Sequence, residues 1–133
     1  MSQTLKPFLV CMAGFMVLDG IWLGVMMKGF YRDHLAAIAR MANGSLAPHW
    51  PAAFLVYVAL ATGITLFVLP RAADVASAAA NGALFGLVVY GVYDLTNFAT
   101  LAQFPLAVVV VDIGWGAIAT AACSAAARTI VGP

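Results

Sequence analysis

Glutamate is missing altogether from this chain of 133 residues, and its charged residues are six Lys or Arg against five Asp, 8% of the sequence. A soluble domain carries about 25% charged residues, so a soluble globular protein is excluded. The net charge of +1 leaves neither a polybasic surface for nucleic acid nor an acidic tail. No Ser-His-Asp arrangement, phosphate loop, HExxH or CxxC is present. What fills the chain instead is apolar: 65% of residues are hydrophobic, and the mean hydropathy is +1.03. A spanning helix takes roughly 20 apolar residues, so four spans with short connections consume nearly the whole chain and leave no room for a soluble catalytic domain.

The first hydrophobic run, residues 8–27, follows Lys6 and Pro7. It exceeds a signal-peptide h-region, no small-x-small site closes it and Asp19 sits inside it, so it reads as a retained helix. The second run, residues 50–69, is opened by Pro51 and stopped by Pro70 and Arg71. The third, from about 76, either stops at Tyr93 or runs through Asp94-Leu95-Thr96-Asn97 to about 100. The fourth covers about 106–127, between Pro105 and Arg128. The valines at 108–111 would suggest a strand in a soluble protein, but an open sheet cannot satisfy its edge groups in lipid. The expected fold is therefore all-α: an integral membrane four-helix bundle in a single transmembrane domain.

The one long connection carries Tyr31, Leu35, Ile38 and Ala42 at helical spacing, with Arg32, Asp33 and Arg40 elsewhere on the wheel. This predicts a short amphipathic interfacial helix over about 29–42 in the first loop, broken by Asn43-Gly44-Ser45. Four spans put both termini on one side. Lys6, Arg71 and Arg128 on that side balance Lys28, Arg32 and Arg40 on the other, and the free amine tips the expectation toward cytoplasmic termini.

Three of the aspartates, Asp19, Asp94 and Asp112, fall within spans. Each costs roughly 2.5–3.5 kcal/mol near a helix centre, so each needs a partner, water or a proton. Counting residues to the span ends at about 1.5 Å each puts all three roughly 9–12 Å below the membrane face of the first and third loops. Three carboxyls on three helices at one depth point to a shared site, with the acids close enough to share partners and at least one of them protonated at neutral pH. Trp22 and Trp115 each follow an aspartate by three residues, which sets acid and indole on one helical face; Asn97 stands at that offset from Asp94, and Tyr90 one turn before it. The expected glycine contacts are Gly20 with Gly24, Gly82 with Gly86, and Gly114 and Gly116 beside Trp115. Two readings stand: interhelical glue without chemistry, or a ligand- or proton-binding site made of Asp19, Trp22, Tyr90, Asp94, Asn97, Asp112 and Trp115. A third has some of the acids facing an aqueous vestibule.

Weaker signals accompany these. Cys11 and Cys123 share a depth near the opposite ends of their spans and read as small packing residues before a redox or metal pair. His34 and His49, with Asp33, lack the tight spacing of a metal site, so no metal is assigned and no cofactor is identified. Met26, Met27 and Met41 read as lipid contacts.

The stretches Leu18-Asp19-Gly20-Ile21-Trp22-Leu23-Gly24, Phe30-Tyr31, Trp50-Pro51-Ala52-Ala53, Gly82-Ala83-Leu84-Phe85-Gly86-Leu87, Tyr93-Asp94-Leu95-Thr96-Asn97-Phe98-Ala99-Thr100-Leu101 and Asp112-Ile113-Gly114-Trp115-Gly116 resemble the signature blocks of domain of unknown function 2177, a family of small bacterial membrane proteins. The Tyr-Asp-Leu-Thr-Asn block is the most specific, and Phe104 departs from the tryptophan expected before the proline. The resemblance implies a multi-pass protein of the bacterial inner membrane with no assigned reaction.

The leading expectation for function is a module that binds a small ligand, cation or proton at the Asp/Trp/Asn cluster. A lipid-modifying membrane enzyme or its accessory subunit, and a structural subunit of a larger membrane complex, are the alternatives. The expected partners are membrane lipids and either other membrane subunits or further copies of the chain, with no nucleic acid.

Overall fold

Every long apolar run becomes a helix, because only intrahelical hydrogen bonds satisfy a backbone in hydrocarbon. The computed structural model describes residues 3–132. Helix α1 (Leu5–Ile21) continues into a π-helical turn at Trp22–Met26, and α2 (Lys28–Leu35) follows. Helix α3 (Trp50–Gly63) passes into a π-helical turn at Ile64–Val68 and a 3-10 turn at Leu69–Arg71; α4 (Val75–Thr100) and α5 (Leu106–Val131) complete the chain. Among the described residues, four segments are long and apolar enough to cross a membrane, Leu5–Met26, Trp50–Arg71, Val75–Thr100 and Leu106–Val131. The protein is an all-α, multi-pass membrane bundle.

Local chemistry sets the boundaries. Pro7, the third residue of α1, and Pro51, the second of α3, are tolerated because first-turn N–H groups have no intrahelical partner. His49 caps α3, its Nδ1 accepting from the Ala52 N–H at 3.4 Å. Asp74 opens α4 through a reciprocal capping box: its carboxylate accepts from the Ser77 N–H at 2.7 Å, while the Ser77 hydroxyl accepts from the Asp74 N–H at 3.0 Å. The Ser77 N–H first, and then the Ser77 hydroxyl donating to the same carboxylate at 2.7 Å, hold the Asp74 carboxyl below the usual carboxylate range. The third span takes the longer of its two expected courses, so Asp94 lies inside α4.

The helices bury small and weakly polar residues and turn their bulk outward. Phe54, Leu84, Val92, Val110 and Ile118 are exposed, whereas Ala61, Ala78, Ala119, Thr120 and Ser124 are buried. Hydrocarbon solvates large apolar side chains as well as a protein core does, so close approach between backbones decides the interfaces. The α4–α5 seam is the most extensive: Gly82 lies against Ser124 and the Thr120 carbonyl, Gly86 against the Gly116 backbone, and Gly116 under the Tyr90 ring. Helix α5 also packs on α1, and α1 on α3, around Cys11, Phe15, Ile64, Ala119 and Cys123. The two cysteines are free thiols packed together; the Cys11 thiol points at the Cys123 carbonyl, 3.8 Å away.

Two expectations are corrected. Gly20, Gly24 and Gly114 bring no helices together, since a Cβ added at any of them would meet nothing within 4 Å. The interfacial helix ends at Leu35 rather than near 42. Asn43 and Gly44 both take positive φ (51° and 73°), the conformation of a tight hairpin turn, and pair Met41 with Leu46 and Ala42 with Ser45. That pairing draws Met41 and Ala42 into extended backbone. Leu46 then packs with Leu35 against Tyr31, Phe104, Val108 and Val109, which seats the first loop on the end of the bundle.

Candidate functional site

The end of the bundle beneath the first loop gathers the intramembrane acids. Asp19 projects from α1, Asp94 from α4 and Asp112 from α5. Asp94 is completely buried and Asp19 nearly so, while Asp112 is half-buried. The Asp94 and Asp112 carboxyl groups adjoin each other. Neither Asp94 oxygen meets an N–H or O–H donor from another type of side chain or from the backbone.

The aromatic partners cross between helices. Trp115 of α5 donates its indole N–H to Asp19 of α1 at 2.8 Å. Trp22, at the end of α1, donates to the Tyr31 hydroxyl at 3.1 Å, and that hydroxyl donates in turn to Asp112 of α5. The two indoles stack face to face, with ring centroids 4.3 Å apart and planes 1° from parallel. Each tryptophan thus serves an acid on the other helix and not the one three residues before it. The i, i+3 spacing sets acid and indole on a common face, and the docking of α1 on α5 turns those two faces toward each other.

Tyr31 and Tyr57 belong to this cluster although the sequence alone does not place them in it: Tyr31 reads only as part of the amphipathic loop helix, and Tyr57 is not marked at all. Tyr31 is the one buried residue of α2, and it carries that helix onto Asp112. Burial, and then its bond to Asp112, push its hydroxyl well above the usual phenol range, so it stays a donor. Its position on the apolar face of α2 was the available signal. The Tyr57 hydroxyl, from α3, lies beside Asp19, while its ring stacks near Phe15. No local pattern marks Tyr57, because only the packing of α3 on α1 brings it there. Tyr90 lies within electrostatic reach of Asp19 and Asp112, with its ring seated on Gly116. Asn97 stands apart: its side chain interacts with the Tyr93 hydroxyl on its own helix, and it is not among the hydrogen-bond partners of the three carboxyls.

The groups around the first loop are committed elsewhere. Asp33 pairs with Arg32 at 2.8 Å on the exposed side of α2, which holds its carboxyl below the usual range. The His34 ring packs on Phe30 and its Nδ1 lies 2.9 Å from the Phe30 carbonyl. Among the described residues, no three His, Cys, Asp or Glu side chains converge as a metal would require.

Chemically, the cluster is an adjoining carboxyl pair fed by a chain of donors, Trp22 to Tyr31 to Asp112, beside a third acid, Asp19, held by Trp115. Two carboxyls can hydrogen-bond to each other only when a proton lies between them. Neither a curated protein nor a solved structure matches the chain. The model of a family described as predicted membrane protein, domain of unknown function 2177, matches residues 4–129, and the chain belongs to that family.

Proposed function

We propose that this is a proton-handling protein of the bacterial inner membrane, with cytoplasmic termini, in which Asp94 and Asp112 share one proton. The observation that carries the reading is the complete burial of Asp94, with neither oxygen offered a donor, beside the carboxyl of Asp112. Two adjacent carboxylates in low dielectric cannot both stay charged, whereas one acid and one carboxylate form a strong short-range pair. Tyr31 donates to Asp112, so Asp112 is the acceptor and Asp94 holds the proton. Trp115 and Tyr57 stabilise Asp19 as a separate acid, and Tyr90 lies within electrostatic reach of both Asp19 and Asp112. The ligand set favours a proton over a divalent cation, because the three acids do not face a common point. The Lys and Arg counts of the two sides are equal, but each of the three segments on the terminal side carries a cation, Lys6, Arg71 and Arg128, while the third loop carries none, which supports cytoplasmic termini.

Infrared spectroscopy of the protein in lipid tests this directly. A protonated-carboxyl band at neutral pH is expected, lost in Asp94→Asn and retained in Asp33→Asn. A wild-type spectrum without that band refutes the shared proton. Asn keeps the shape and hydrogen bonding of Asp, so Asp94→Asn is also expected to melt like wild type in detergent yet fail to complement a deletion phenotype. A variant that melts normally and complements fully would mean that the acids only hold the helices together.

A further inference from the structure

The opposite end of the bundle carries a second polar feature that the carboxyl cluster does not use. Where the start of α1 meets the ends of α3 and α5, a cavity of about 390 Å³ opens between Thr4, Pro7, Thr65, Pro70, Arg128 and Val131. Beside it a mainly apolar groove of about 290 Å³ runs between α1 and α3, bounded by Leu5, Phe8, Thr62 and Leu66. Thr4 and Thr65 line both spaces, so the cavity and the groove adjoin.

Two observations give this pair of spaces a chemical preference. Arg128 lines the cavity, and its guanidinium donates one bond to the Ala73 carbonyl at 2.8 Å, which leaves further N–H donors on a fixed cation. Asp74, the carboxylate near it, is committed to its capping box with Ser77. The second observation is Thr65, whose hydroxyl is buried without a partner. Thr62, Thr100, Thr120 and Thr129 each donate to the carbonyl four residues earlier, as helical threonines in apolar surroundings do. Thr65 lies in the π-helical turn at Ile64–Val68, where the backbone register differs, and its hydrogen-bonding capacity remains unused in the shared wall.

We propose that the cavity and groove together hold one anionic phospholipid, its phosphate beside Arg128 and one acyl chain along the groove between α1 and α3. A cation and hydroxyl at the polar end, continuous with an apolar channel on the outer face of the spans, match an amphiphile in both charge and shape. The site lies at the end of the spans, at headgroup level, and is independent of the carboxyl pair.

Native mass spectrometry of the detergent-solubilised protein, titrated with phosphatidylglycerol, phosphatidylcholine or inorganic phosphate, decides the matter. Phosphatidylglycerol is expected to be retained in preference to phosphatidylcholine, and inorganic phosphate to compete poorly. Arg128→Gln removes a charge-assisted contact and should weaken phosphatidylglycerol binding roughly tenfold. Arg71→Gln, on the same face but outside the cavity, should leave it unchanged. Leu66→Trp adds bulk to the groove from an exposed position, so it should lower binding without changing the melting temperature; it serves as the deciding variant if Arg128→Gln does not fold. Equal retention of the two lipids, undiminished phosphatidylglycerol binding by folded Arg128→Gln or Leu66→Trp, or full displacement by inorganic phosphate would each overturn the proposal.

Discussion

Gly82 and Gly86 on α4, and Gly20 and Gly24 at the end of the first span, have the same spacing and opposite surroundings. The α4 pair lies directly on α5, where any side chain would meet Ser124, the Thr120 carbonyl or the Gly116 backbone. The first pair faces open surface. Near that level α1 and α5 are joined by side chains instead, through the stacked indoles of Trp22 and Trp115 and the Trp115–Asp19 bond. Two glycines four residues apart allow backbones to touch, but the residues of the facing helix decide whether they do. Opposite Gly86 stand Gly116 and Thr120; toward α1, helix α5 presents an aspartate and a tryptophan, which need room and offer hydrogen bonds.

Substitution in each seam separates these two modes of joining. Gly86→Val puts a branched side chain into the Gly116 backbone, and neither helix can yield without opening the seam. A loss of about 3 kcal/mol in denaturant-induced unfolding in mixed micelles is expected. A stability near wild type would mean that the α4–α5 seam is looser than its glycines imply.

The side-chain seam should be less sensitive. Trp115→Phe preserves an aromatic face against Trp22 but removes the N–H that Asp19 accepts. Leaving a buried carboxyl one donor short costs about 1–3 kcal/mol, and Tyr57 beside Asp19 should keep the loss toward the lower end of that range. A thermal melt of Trp115→Phe alongside Trp115→Ala separates the bond from the stack, since only the second variant loses both. Equal melting of the two would assign the whole effect to the hydrogen bond.

The smallest effect belongs to Gly24→Ala. The added methyl meets nothing within 4 Å, so the change should stay within about 0.5 kcal/mol in the same unfolding assay. A loss above ~1 kcal/mol, beyond the usual range for an uncontacted surface site, would show that a second copy of the chain covers this face in the micelle.

Much of the layout was legible in the chain itself. Composition and span length dictate a helical membrane bundle, because hydrocarbon leaves the backbone no other way to meet its hydrogen bonds. Counting from the span ends also puts Asp19, Asp94 and Asp112 in one layer, since an α-helix converts residue number into depth. The short range of helical spacing hides what crosses between elements. It pairs Asp19 with Trp22 and Asp112 with Trp115, whereas the folded chain exchanges the partners across the α1–α5 contact. Nor could it find Tyr31 and Tyr57, whose roles come from the seating of α2 and α3, or show that Asn97 falls outside the cluster.

The sequence by itself therefore determined the solvent in which this protein folds and the number of its spans. These follow from transfer energy and helix rise, which are properties of each segment alone. Tertiary structure decided which glycines close a seam, which donor meets which carboxyl, and that Asp94 adjoins Asp112 with no donor from another type of group. Those outcomes depend on how each helix is rotated against its neighbours, and that rotation is fixed only when all the packed faces are satisfied together.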